Sequence, residues 1–206
     1  MITDVTGVLL AGGKSRRMGE DKRFLSVGEE TLFARSLAVL RSVFETVFVV
    51  IAQDSPELQS DAPVLRDLIP DCGSLGGLYT GLKHAKTPYV FVVACDMPFL
   101  NPATVRYVVE AKGDYDVIMA ELQNGLHPMH ALYHRQCLPV MEALIKVRDL
   151  KIQRLAADRA LRVHLITQAE LEAIDPHGRS FYNVNTPSDL EAARLIQARA
   201  KDGSSA

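Results

Sequence analysis

Residues 47–51 read Val-Phe-Val-Val-Ile and residues 90–94 read Val-Phe-Val-Val-Ala, with no polar position in either run. A strand with one wet face alternates apolar and polar side chains, whereas a strand covered on both faces has no need to. Both runs are rich in β-branched residues, which suit a pleated, packed surface. They predict strands over 46–52 and 89–95 in the middle of a sheet sheathed by helices. Runs at 5–11 and 116–122 have the same character, and a weaker one at 63–67 lies between the second and third.

Helical patterns fill the gaps. Residues 31–43 set Leu32, Leu37, Leu40 and Phe44 at near-helical spacing, and helices are also predicted over 76–86 and 102–112. The last begins Asn101-Pro102, a side-chain cap followed by proline at the first helical position. Further on, 135–146 reads as a helix, 161–166 as a strand and 187–201 as a final helix. Strands alternating with helices predict an α/β fold, doubly wound, with a mostly parallel sheet and helices on both faces. The length of 206 residues suits one domain over 1–200, with a small polar tail at 201–206 expected to be disordered.

Charge argues against one class of partner. With 23 Lys and Arg against 25 Asp and Glu, the formal net charge is -2, and binders of duplex nucleic acid usually carry a basic face. Cys72, Cys95 and Cys137 are odd in number and form no C-x-x-C pair, which fits unpaired thiols in a reducing compartment. Residues 1–7 lack a basic and apolar leader, and no segment approaches the roughly 20 apolar residues that span a bilayer. The expected location is the cytoplasm, with no membrane contact.

Ligands of such sheets bind beyond the carboxyl ends of the strands. The first strand runs into Leu10-Ala11-Gly12-Gly13-Lys14-Ser15-Arg16-Arg17-Met18-Gly19-Glu20-Asp21-Lys22. Adjacent glycines there let backbone N–H groups approach a phosphate, and Lys14, Arg16, Arg17 and Lys22 can neutralise a triphosphate. The string is neither the Walker pattern nor the dinucleotide G-x-G-x-x-G. Asp96, in Ala94-Cys95-Asp96-Met97-Pro98, follows another buried run, where a carboxylate can hold Mg²⁺ or simply close a turn. Three glycines within 73–77 open a helix, which suits either a tight turn or close approach to a nucleotide. His127, His130 and His134 do not share one face of a regular strand, and His130 and His134 read as structural or exposed. Cys95 reads as a buried thiol without a partner base.

The string from Leu10 to Lys22 resembles the L-A-G-G-x-S-x-R-M-G-x-D-K signature of the molybdenum cofactor guanylyltransferase family. Cys95-Asp96-Met97-Pro98 is similar to its C-D-x-P segment, His127-Pro128 with Ala131-Leu132-Tyr133 to its H-P…A-L-Y strand, and Asn183-Val184-Asn185-Thr186-Pro187 to its N-x-N-T-P element. The resemblance implies a nucleotide-diphospho-sugar-transferase-like fold that transfers GMP from GTP to molybdenum-bearing molybdopterin. It implies nucleotide contacts from Leu10, Ala11, Gly12, Gly13, Lys22, Asp67 and Asp96, with Asp96 also the Mg²⁺ ligand. Asn183 and Asn185 would lie toward the pterin acceptor, and transient contact with other cofactor-biosynthesis or acceptor proteins is implied. Arg17, Lys22 and the Asp96-bound Mg²⁺ would stabilise the leaving pyrophosphate. Gly12, lacking a side chain, would leave room beside a purine base.

Two departures stand out: Gly73-Ser74-Leu75-Gly76-Gly77 replaces the family's G-P-L-x-G, and Ala52-Gln53-Asp54 lacks the Asn that many members place after the second strand. A cytidylyltransferase for the same pterin, or a sugar-phosphate nucleotidyltransferase, shares the loop and the aspartate. A catalytically idle nucleotide sensor on the same fold is the alternative from outside enzymology.

Overall fold

A computed structural model of the chain describes residues 1–12 and 21–203, the last three as backbone. β1 (Ile2–Leu10) opens the chain, followed by a 3-10 turn at Lys22–Phe24 and a short hairpin of β2 (Ser26–Val27) and β3 (Glu30–Thr31). Then come α1 (Leu32–Val43), β4 (Phe44–Ile51), β5 (Val64–Arg66), α2 (Gly73–His84), β6 (Tyr89–Ala94) and α3 (Pro102–Glu110). A second hairpin joins β7 (Val117–Leu122) to β8 (Gly125–His134). α4 (Leu138–Lys146), α5 (Arg154–Ala157), β9 (Val163–Thr167), α6 (Gln168–Leu171) and α7 (Pro187–Gly203) complete the order.

Seven strands form one sheet in the order β5-β4-β1-β6-β8-β7-β9. All neighbours pair in parallel except β8, which runs antiparallel to β6 on one side and β7 on the other. The apolar runs sit where their lack of alternation predicts. Along β4, Val49 and Ile51 pack into one core and Val50 into the other; along β6, Phe91 and Val93 face one layer, Val90 and Val92 the opposite one. The first layer holds α1 and α3 through Leu37, Leu40, Val105 and Val108, and the second holds α2 and α4 through Leu75, Leu78, Leu82 and Met141.

Local chemistry sets the helix starts. Thr31 Oγ1 accepts from Ala34 N at 3.1 Å to cap α1, and Asn101 Oδ1 accepts from Ala103 N at 2.9 Å to cap α3. α2 begins at Gly73, three residues before the expected start. Its glycines are a packing device: a Cβ at Gly77 would lie 3.0 Å from Leu10 Cδ2, and one at Gly81 3.0 Å from Val8 Cγ2. Residues four apart on a helix meet residues two apart on a strand, so the bare helix face beds closely on β1.

The expected helix over 135–146 divides into a 3-10 turn at Arg135–Cys137 and then α4. The final helix continues past residue 201 to Gly203. A separate small core of Leu25, Val27, Leu32, Val184, Leu190 and Ala193 packs α7 on the β2–β3 hairpin. That core ties the segment after Lys22 to the segment bearing Asn185. The three cysteines are unpaired and buried, and among the described residues no helix is long and apolar enough to cross a membrane.

Candidate active site

The ladders of the parallel half continue one residue beyond the strands. Ala11 N donates to Val50 O at 2.8 Å, Asp67 N to Ile51 O at 2.9 Å, and Cys95 N to Leu10 O at 3.1 Å. Four chain segments therefore leave the sheet along one edge, with Ala11, Asp67 and Asp96 just beyond it. Leu10 and Ala11 are themselves buried, so what they can offer a ligand there is backbone.

Lys22 is set by its neighbours. Asp21 caps the 3-10 turn by accepting from Arg23 N at 3.1 Å and pairs with the Arg23 guanidinium, which holds its carboxyl below the usual range. With both flanking residues fixed, Lys22 Nζ lies 3.2 Å from Asp96 Oδ2 and donates to Asn185 Oδ1 at 2.9 Å. Three residues far apart in sequence thus meet at one ammonium. Burial raises the Asp96 pKa, against the opposing pull of Lys22, and its Oδ1 is buried without a hydrogen-bond partner among the described residues.

Asp67 is the second strand-end carboxylate. Burial pushes its pKa up to about 6, and its Oδ1 is also buried and unpartnered among the described residues. An unsatisfied buried acceptor costs about 1–3 kcal/mol, a debt that a donor-bearing ligand would relieve.

Gly12 corrects an expectation. A Cβ there would lie 2.6 Å from Ala52 N and 3.1 Å from Ile51 C, so it points at the backbone leaving β4 and not into open space beside a base. Close approach of two chains requires the glycine. Gly13, Arg17, Lys14 and Arg16 lie outside the described residues.

Asn183 and Asn185 line one cleft of about 410 Å³ together with Asp96, Asn124 and His127. Asn183 Nδ2 donates to Phe181 O at 3.1 Å. Asn185 does not cap the last helix with its side chain. Thr186 and Asp189 do so: Asp189 Oδ2 accepts from Asn185 N at 2.9 Å and Thr186 N at 2.8 Å, and Thr186 Oγ1 accepts from Asp189 N at 3.2 Å. The Asn185 amide is thereby left to Lys22.

His127, quoted in the H-P motif without a role, and Asn124, which the sequence did not single out, are cleft residues. Between Met119↔Ala131 and Glu121↔Leu126, β7 advances two residues while β8 advances five, so β8 bulges. The bulge lets His127 and His130 both pack on the Phe181 ring, at 5.0 and 4.5 Å between centroids, which regular strand alternation forbids. His134 lies at the other end of β8, against Tyr89. The available signal was Asn124-Gly125, a hairpin dipeptide between apolar runs, with Gly125 at φ 106°. A hairpin there returns β8 antiparallel beside β6 and delivers His127 to the edge that carries Asp96. Burial raises the Cys95 thiol to about 12, so it is no nucleophile at neutral pH.

This architecture recurs in known proteins. Residues 7–164 match the family model of the MobA-like NTP transferase domain. A probable molybdenum cofactor guanylyltransferase of Pelotomaculum thermopropionicum is 36% identical over 198 residues, covering 96% of each chain. The molybdenum cofactor guanylyltransferase of Desulfosudis oleivorans is 36% identical over 191 residues, covering 92% of this chain and 94% of its own. In structure, the molybdopterin-guanine dinucleotide biosynthesis protein A of Archaeoglobus fulgidus superposes with a TM-score of 0.81 at 24% identity, over 94% of this chain and 99% of that one, which speaks to the fold alone. A buried, mostly parallel sheet, a basic residue against a strand-end aspartate and a match over most of its length make this chain a member of the MobA-like NTP transferase family.

Proposed function

We propose that the chain, as one nucleotidyltransferase domain over 1–200, transfers GMP from GTP to molybdenum-bearing molybdopterin and releases pyrophosphate. The observation that carries this is the meeting of Lys22, Asp96 and Asn185, which sets a phosphate-binding cation against a strand-end carboxylate and a polar amide that line one cleft. The full-length relatives named for this reaction supply the substrates.

The nucleotide lies over the carboxyl ends of β1, β4, β5 and β6. Backbone at Leu10, Ala11, Gly12 and Gly13 approaches it, and Lys22 and Arg17 neutralise its phosphates. Asp67 reads the base: guanine's Watson–Crick edge carries two adjacent N–H donors, and a carboxylate offers two matched acceptors. Cytosine offers one amine beside two acceptors, so it meets this carboxylate less well. Asp96 suits a hard divalent cation, since its buried Oδ1 has no protein donor among the described residues and a carboxylate oxygen is what Mg²⁺ prefers. Mg²⁺ held there would neutralise charge on the phosphates.

The acceptor takes the Asn183 and Asn185 side of the cleft. Its terminal phosphate, with a second pKa of about 6, is already largely dianionic near neutral pH and needs no strong general base. The work of the protein is to orient two anions and to hold the charge of the leaving pyrophosphate, which Lys22 does from a fixed position. The buried unpaired thiols suit a reducing compartment and so support the cytoplasm as the place of work.

Pyrophosphate release with GTP, molybdenum-bearing molybdopterin and Mg²⁺ tests the reading. Release is expected to require both substrates. Preference for CTP over GTP would convert the assignment to a cytidylyltransferase, and nucleotide binding without any turnover would make the chain a sensor.

A further inference from the structure

His127 has an environment that packing alone does not explain. It is 8% exposed, yet it lines the cleft that holds Asp96, Asn183 and Asn185. Its ring stands against Phe181 with 65° between the planes, which fixes the plane of the imidazole. Nε2 lies 2.8 Å from Asn124 Oδ1. An amide oxygen only accepts, so Nε2 carries the proton and Nδ1 keeps its lone pair. Burial lowers the His127 pKa, which favours this neutral form near pH 7. Nδ1 has no protein partner among the described residues, and the His127 ring lines the cleft. The site therefore presents one oriented acceptor of defined direction.

The chemistry of that acceptor selects what can meet it. A phosphate oxygen is an acceptor too and gains nothing there. A group with an N–H is needed, and of the acceptor's two parts only the heterocycle has one. Apart from Asp96, the polar side chains lining the cleft, Asn124 and Asn183 among them, are neutral, as suits an amide-like ring edge better than a charged group.

We propose that His127, held in one tautomer by Asn124, recognises a ring N–H of the acceptor's pterin through Nδ1. This rests on the reading of the cleft as the acceptor site and adds two residues to it: His127 as a binding residue, Asn124 as a positioning residue. Asn124 is exposed and sits at the hairpin turn, so it can be changed without opening the core.

The test measures the acceptor KM with molybdenum-bearing molybdopterin at saturating GTP, the GTP Kd without acceptor, and Tm. His127→Gln keeps a donor near the Nε2 position but removes the Nδ1 lone pair, and is expected to raise the acceptor KM roughly tenfold or more, the worth of one hydrogen bond. His127→Asn places an amide oxygen near the Nδ1 position and is expected to lose less. Asn124→Ala frees the tautomer and should raise the KM a few-fold, whereas Asn124→Asp, still an acceptor, should restore it. An unchanged acceptor KM in a folded His127→Gln, or a shift in the GTP Kd in its place, overturns the proposal. If His127→Gln does not fold, equal KM values for Asn124→Ala and Asn124→Asp overturn it. Wild-type protein that transfers GMP but is indifferent to these changes removes this inference alone; wild-type protein that transfers none removes the proposed function with it.

Discussion

The two halves of the sheet build their share of the site by different means. On the β5-β4-β1-β6 side, parallel ladders run to the edge and stop, so functional groups are strand ends: backbone at Leu10 and Ala11, carboxylates at Asp67 and Asp96. On the β8 side, a reversed strand, a bulge and a helix cap do the placing, and the groups are neutral side chains: Asn124, His127, Asn183, Asn185. Rigid strand ends fix charge for the nucleotide, and irregular elements shape a surface for the acceptor. Lys22 joins the two, touching Asp96 on one side and Asn185 on the other.

The comparison breaks most visibly at the strand ends. Asp96→Asn is predicted to lower turnover on the order of a thousandfold, as expected when charge stabilisation of the transferring phosphate is lost. Pyrophosphate release at saturating Mg²⁺ measures it, and near-wild-type rates would remove Asp96 from the chemistry.

Asp67→Asn sharpens the same half. Exchanging one of two acceptors for a donor is predicted to lower kcat/KM for GTP roughly 10- to 200-fold. The pH dependence has a definite sign. With its pKa raised to about 6, the wild-type carboxyl protonates as pH falls through 6, and GTP binding weakens relative to the variant, which has no such titration. Titration of GTP itself is common to both, so the ratio of their Kd values between pH 5 and 7.5 is the readout. For the free protein the sign reverses in consequence. An unfolded Asp ionises at 3.8 and this one at about 6, so stability is lost as pH rises between those values and the loss is complete above 6. Asp67→Asn should therefore melt higher than wild type at pH 8, with the gap closing toward pH 4.

How much of this was legible beforehand differs between the halves for the same physical reason. The central parallel strands are buried on both faces, and their unbroken apolar runs mark them and the residues just beyond them, Gly12 and Asp96; Asp67, after the short and partly exposed β5, was marked by the resemblance alone. Asn183 and Asn185 were marked by a motif, not by periodicity. His127 was marked within a motif but given no role, because its placement depends on a bulge and on β8 pairing antiparallel with β6, and both are long-range facts. Asn124-Gly125 was the one local clue. Gly12 was marked, but its purpose was not, because only the register of β1 on β4 shows the Ala52 backbone 2.6 Å from its missing Cβ.

Gly12→Ala tests that last point with a smaller effect. Forcing two backbones apart is predicted to destabilise the fold by about 1–3 kcal/mol and to reduce turnover with GTP and CTP alike. A loss confined to GTP would restore the idea of space reserved for a purine. Smaller still is Asp189→Ala, which removes the reciprocal cap behind Asn185. It is predicted to cost about 1 kcal/mol in thermal or urea unfolding and to raise the acceptor KM modestly.

The division of labour itself is most directly tested by one crossed measurement: GTP Kd by calorimetry and acceptor KM by pyrophosphate release, for Asp67→Asn and for the double variant Asn183→Ala, Asn185→Ala. The account predicts that Asp67→Asn weakens GTP and leaves the acceptor KM near wild type, while the double variant raises the acceptor KM and leaves the GTP Kd unchanged. Both variants weakening GTP to a similar degree would contradict it.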